Sequence, residues 1–264
     1  MLTNGAIPIA FDDVGDGDTA LLCLSGWCAP RSVFRPLYRE LAERHRVLAL
    51  DWRGHGGSAV APSDFGNDEL VSDALAVVES AGVRRFIPVA TAHAGWIAIE
   101  LRRRLGSEKV PAIVLVDWMV TGAPPGFLDG LSALQNEATW ATVRASLFDM
   151  WTTGVSDPAV HAFVKEMGKL GFDMWARAGR EIGAAFSQHE SPLAFLERMT
   201  PPCSTLHLYA QPDDPGFLAA QQSYAASHPW FQVEKLDARS HFPTLEAPGP
   251  VANAITRFVE RTTG

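Results

Sequence analysis

The sequence predicts an α/β protein: a mostly parallel central sheet flanked by helices, with one inserted helical cap. Three observations carry this. Short apolar runs alternate with longer stretches of helical spacing, the pattern left by strands joined through crossover helices. The runs are continuous in Leu, Val and Ile rather than alternating, as in strands buried on both faces. The rhythm stops between residues 123 and 202 and then resumes.

The first run is ALLCLSG (20–26), followed by RVLALD (46–51) and RFIPVA (85–90). AIVLVD (112–117), STLHLYA (204–210) and FQVEKLD (231–237) complete the set of six expected strands. NDELVSDALAVVESAG (67–82) and GWIAIELRRRLG (95–106) read as helices between them, and VANAITRFVERT (251–262) as a third near the end. The interval 123–202 opens with APPG, closes with TPP and holds no good strand. Its aromatic residues, Trp140, Phe148, Trp151 and Trp175 among them, fall on helix-like segments. We therefore expect a core of residues 1–122 and 203–264 and a helical cap of 123–202. Most cap aromatics should pack the cap onto the core, and a few should line the cleft beneath it.

Composition narrows the function. The 264 residues suffice for one α/β domain with an insertion. A net charge of −8 argues against nucleic acid and leaves no polybasic surface for an anionic membrane. No apolar run is long enough to span a bilayer, and the start, MLTNGAIPIAFDD, lacks the layout of a signal peptide. Cys23, Cys28 and Cys203 are odd in number and without metal-like spacing, so a reduced, cytoplasmic protein is expected. No His spacing suggests a metal site.

The chemistry-bearing stretch is VATAHAGW (89–96). It has the outline of a nucleophile elbow, a strained strand-to-helix turn that exposes a hydroxyl for attack. Ala92 stands where that nucleophile belongs and has neither proton nor lone pair. In such an arrangement, backbone N–H groups from the loop after an earlier strand and from the residue after the elbow form an oxyanion hole. Those donors would be Trp27, in LSGWC (24–28), and His93. DWRGHGGS (51–58) is a glycine-rich loop with no phosphate-binding helix pattern after it, so it reads as structural, with Arg53 bridging neighbouring loops and His55 a loop residue. SHFPTLEAP (240–248) follows the last strand and puts His241 where a base belongs. His45, His161, His189, His207 and His228 have no partner pattern and read as structural. A histidine base needs a carboxylate to hold its tautomer. Asp117, at the end of a central strand, is preferred for this; Asp213, in AQPDDP after the next strand, is the alternative.

Together the elbow, DWRGHGGS and the late histidine make the whole chain resemble the α/β-hydrolase superfamily. A narrower resemblance is to the cofactor-independent 2,4-dioxygenases of 3-hydroxy-4(1H)-quinolones and quinaldines. It rests on SGWC (25–28), DWRGH (51–55), T-x-H-x-x-W (91–96), VDW (116–118), FDMW (148–151) and SHFP (240–243). The resemblance implies His241 as general base oriented by Asp117, Trp27 and His93 as donors to the substrate oxygens, and Trp151 as a cap residue over the ring. It also implies a small aromatic N-heterocyclic substrate and O2 as partners, with neither metal nor flavin as cofactor. Ala92 departs from the pattern, which carries a serine there that helps hold the substrate, and the lost bulk gives room for a 2-alkyl substituent. Two other outcomes stay open on sequence: a hydrolase or lyase using the same His–Asp pair, and a non-enzymatic small-molecule receptor.

Overall fold

The computed structural model describes residues 1–5 and 7–263. Each of the six apolar runs forms a strand, and three more precede them. β1 (Leu2–Asn4) and β2 (Ile7–Ile9) make a small antiparallel pair, and β3 (Phe11–Val14) leads into β4 (Thr19–Leu24). A 3-10 turn and α1 (Arg35–Leu41) connect to β5 (Arg46–Leu50), then α2 (Asn67–Ser80), β6 (Arg85–Thr91), α3 (Gly95–Lys109) and β7 (Ala112–Val116). Five helices follow: α4 (Phe127–Leu134), α5 (Trp140–Thr152), α6 (Pro158–Met167), α7 (Phe172–His189) and α8 (Pro192–Glu197). The chain returns through β8 (Ser204–Tyr209), α9 (Pro215–Ser227), β9 (Phe231–Lys235), α10 (Pro243–Glu246) and α11 (Pro248–Thr263).

The main sheet has the order β3-β5-β4-β6-β7-β8-β9, with β3 antiparallel to β5 and every other pairing parallel. β4 and β7 are buried almost end to end, as their unbroken apolar sequences require. β3 differs in carrying Asp12 and Asp13. At the sheet edge it turns them to partners, Asp12 to Arg31 and Tyr38, Asp13 to Arg46. These short acidic edge residues gave no apolar run to read. α9 was also silent in sequence, because its small and polar residues lack a stripe. It starts instead on a cap, Asp214 accepting from the Gly216 N–H ahead of the first turn, with Pro215 at its first position. The same device begins α6 at Asp157–Pro158 and α8 at Ser191–Pro192.

Strand order reverses at β4, which has β5 on one side and β6 on the other. In such sheets the crevice beyond the carboxyl ends of the strands at the reversal is the natural ligand site. The loops after β4 and β6, carrying Trp27 and Ala92–His93, meet there, joined by a 3.1 Å hydrogen bond from the Gly26 N–H to Thr91 Oγ1. The glycine-rich loop after β5 is built around a carboxylate. Asp51 accepts from the N–H groups of Arg31 and Gly57, and a Cβ on Gly56 would overlap it. Arg53 makes a buried two-pronged contact with Asp73 at 2.7 and 2.8 Å. It thus ties this loop to α2, where the sequence reading had it joining loops. Among the described residues no helix is long and apolar enough to cross a membrane.

Candidate active site

Between the carboxyl edge of the sheet and α4–α7 lies a cavity of about 1300 Å³. Its walls are mainly apolar, and Trp27, Ala92, His93, Asp117, Trp151 and His241 all face it. The fold therefore gathers the residues singled out in sequence from loops more than 200 positions apart.

The elbow is present in backbone geometry. β6 ends at Thr91, and Ala92 takes a φ of +48°, a left-handed conformation that costs a non-glycine residue roughly 1–3 kcal/mol. α3 then starts at Gly95, where a Cβ would overlap the ring of Trp118. The turn is as sharp as a nucleophile requires, yet it presents a methyl group. Trp27 and His93 each stand just past a strand end, where the sheet ladder no longer uses their backbone N–H groups. The Trp27 indole is turned away to Asn67 Oδ1 at 3.3 Å and stacks on Phe65.

Asp117 follows β7 with a φ of +52° and is 2% exposed. Its Oδ1 accepts from the Ala210 N–H at 2.6 Å and the Gln211 N–H at 3.0 Å, while Oδ2 lies 2.6 Å from His241 Nδ1. With Oδ1 taken by those two N–H groups, Oδ2 accepts from the imidazole, which places the ring proton on Nδ1. The Nε2 lone pair is left for the cavity. Trp151 backs this base from α5. Its ring stacks on the His241 imidazole with centroids 5.0 Å apart, and its carbonyl accepts the His241 N–H at 3.3 Å. Asp213 sits at the cavity edge with its side chain 86% exposed, paired with Lys235 at 2.7 Å. The histidine has Asp117 as its partner.

Three histidines are locked neutral. His93 is pushed down to about 3 by burial and then by the nearby charge of His241. Burial pushes His55 and His207 down to about 4. His55 accepts the Cys28 N–H and reaches the Arg53 carbonyl through Nδ1, so it braces the loop after β4. Below pH 6.5 the unfolded chain takes up protons on these three groups while the folded chain does not, so stability drops with pH until the folded values are reached. Urea midpoints measured from pH 7 down to about 4 should fall steadily, and a flat profile across that window would contradict the assignment.

Trp118, given no site role of its own in sequence, donates its indole N–H to His93 Nδ1 at 3.0 Å, and Phe127 and Phe186, two of the aromatics of 123–202, pack on the His93 ring. The only trace of the first was its place beside Asp117. Phe127 and Phe186 come from α4 and α7, and nothing local to either helix points at the elbow.

Comparison with known proteins places these features. A family model described as the alpha/beta hydrolase family matches residues 21–254. A 2-heptyl-3-hydroxy-4(1H)-quinolone dioxygenase from Mycobacteroides abscessus is 36% identical over 95% of this chain and 94% of its own. A 1H-3-hydroxy-4-oxoquinoline 2,4-dioxygenase from Pseudomonas putida is 34% identical over 97% of both chains. The solved structure of AqdC, which recognises and cleaves the ring of the Pseudomonas quinolone signal, in complex with its product, superposes with a TM-score of 0.93 at 34% identity, covering 98% of each chain.

Proposed function

The chain belongs to the alpha/beta hydrolase family, and within it to the group of the 3-hydroxy-4-quinolone 2,4-dioxygenases; on that premise we propose that it is a ring-cleaving dioxygenase acting without metal or flavin. Its substrate is a 3-hydroxy-4(1H)-quinolone, with an alkyl group at C2, and its products are an N-acylanthranilate and CO. The observation that carries this reading is the His241–Asp117 pair, joined at 2.6 Å beside an elbow whose nucleophile is replaced by Ala92. A base is kept where acyl transfer has lost its means.

His241 Nε2 removes the proton of the 3-hydroxyl, within hydrogen-bond reach of the bound ring. The resulting electron-rich anion passes an electron to O2, and combination of the two forms a C2–peroxide. The distal peroxide oxygen attacks C4, closing a bridge. Cleavage of the O–O bond and of the C2–C3 and C3–C4 bonds releases C3 as CO. One oxygen atom stays at C2 as the amide carbonyl and the other at C4 as the new carboxyl group, to which the proton on His241 returns. The N–H groups of Trp27 and His93 stabilise the oxyanion as charge develops. Trp151 shields the base from water and covers the ring. Leu131, Leu134, Val143, Leu147 and Ile182 give the cavity an apolar reach suited to the alkyl chain.

In this reading residues 123–202 act as the cap over a core of 1–122 and 203–264. The three unpaired, buried thiols, Cys23, Cys28 and Cys203, fit a reducing cytoplasm. There the enzyme would remove a diffusible alkylquinolone signal, a quorum-quenching role. The test is to incubate chelator-treated protein with 2-heptyl-3-hydroxy-4(1H)-quinolone, with and without O2, and to assay CO and N-octanoylanthranilate. Both should form in equal amounts and only with O2. Turnover without O2 would overturn the reading in favour of a hydrolase or lyase, and tight binding without turnover in favour of a receptor.

A further inference from the structure

We propose that Trp118 is a positioning residue: held from below by a buried His207–Gln221 pair, its indole N–H fixes His93 as the tautomer protonated at Nε2, giving the cavity a neutral side-chain donor. The proposal deepens the dioxygenase reading and rests on it for the identity of the acceptor, a quinolone oxygen.

Each hydrogen bond from Gln221 to His93 has a direction dictated by a group that can only donate or only accept. Gln221 Nε2 donates to the Phe217 carbonyl on its own helix, so its Oε1 is the atom 2.5 Å from His207 Nδ1. An amide oxygen only accepts, so His207 carries its proton on Nδ1 and offers a lone pair at Nε2. That lone pair meets the Trp118 N–H at 3.3 Å. The left-handed turn at Asp117 has swung this N–H out of the strand ladder, and without His207 it would be buried and unmet. Both His207 and Gln221 have no exposed surface. They make a polar post under the residue that follows Asp117.

The indole itself has little freedom. Gly95 leaves no space between α3 and its face, and Trp96 meets it edge-on with centroids 4.9 Å apart. Its Nε1–H is a donor only, so the partner at 3.0 Å, His93 Nδ1, must be the acceptor. The His93 proton is then on Nε2, the one polar atom of the ring with no partner among the described residues, on a ring that lines the cavity. Phe127 from α4 and Phe186 from α7 complete its surroundings, and neither carries charge. The ionisable groups that its charge would meet are His241 and, behind it, Asp117. A cation at His93 would set a like charge beside His241 at the moment the base takes up the substrate proton. A neutral N–H avoids this, and it supplies a hydrogen bond beside Ala92, which has none to give.

The deciding measurement is the imidazole 15N spectrum of the wild-type protein, with His93 assigned by its disappearance in His93→Gln. Nε2 should be protonated, Nδ1 bare, and neither should titrate between about pH 5 and pH 8. A proton on Nδ1, or titration in that window, would overturn the proposal. Trp118→Phe keeps a ring and deletes the donor. His93 should then sample both tautomers and begin to titrate. kcat/KM should fall about tenfold, the scale of one hydrogen bond, with its acid limb moved to higher pH. A loss of activity equal at every pH, with the His93 spectrum unchanged, would mark Trp118 as structural only. If Trp118→Phe does not fold, the wild-type spectrum still decides. That spectrum is independent of CO release, so failure of the dioxygenase reading and failure of the tautomer lock are seen separately.

Discussion

Replacing His241 by alanine should lower kcat for quinolone cleavage by about 10²- to 10⁴-fold, the span of a lost general base. Among the described residues the imidazole is the one cavity group with a lone pair, at Nε2, backed by a fixed carboxylate. The loss should depend on pH in a revealing way. Deprotonation of the 3-hydroxyl is the only step that needs the base, so a substrate that arrives as its anion bypasses it. CO release by His241→Ala should therefore recover as pH passes the hydroxyl's own pKa, while wild-type activity stays level there. Absorbance of the bound quinolone supplies the second readout: anion in the wild type, neutral enol in the variant at pH 7. A variant that releases CO at the wild-type rate, or a deficit of equal size at every pH, would remove His241 from the proton-transfer step.

The parts of this site that could be read in sequence are those whose signal is local. The elbow showed as small residues around Ala92 between a strand and a helix, and His241 as the histidine after the last strand. Asp117 showed as an acid ending a fully apolar run, where burial demands a partner. The fold was legible for the same reason: strands buried on both faces cannot hide their composition. What escaped is what depends on tertiary approach. β3 is an edge strand whose Asp12 and Asp13 turn to Arg31, on the 3-10 turn after β4, and to Arg46 on β5, so its four residues show no continuous apolar run. The Trp118–His93 bond joins residues 25 positions apart, and the tertiary pairing of β6 with β7, Thr91 against Val116, makes them neighbours. His207 sits on a strand amid Leu206 and Leu208 and gives no sign that its ring reaches under the turn at Asp117. Trp151 was legible as a cap aromatic, but its stacking on the base depends on how α5 settles over the loop after β9.

Replacing Asp117 by asparagine should be nearly as costly as removing the base, about 10²- to 10³-fold in kcat, although the two side chains have the same size. The N–H groups of Ala210 and Gln211 fix which atom turns where. They demand an acceptor, so the amide oxygen takes the place of Oδ1 and the NH2 group faces His241 Nδ1. An NH2 group only donates there, so neutral His241 must accept at Nδ1 and carry its proton on Nε2. The lone pair that faced the substrate is then gone, with ring position, stacking on Trp151 and fold retained. Three measurements separate this from general damage. The deficit should shrink at high pH as it does for His241→Ala, because the substrate's own ionisation relieves both variants at the same step. The double variant should be no slower than His241→Ala alone, since orientation has no value once the base is missing; rates that multiply would show two independent roles. Asp213→Asn should change kcat by less than about twofold, because an 86% exposed carboxylate paired with Lys235 contributes little. A large loss there with a mild effect at position 117 would transfer the acid's role to Asp213, and with it the order of strands that builds the dyad.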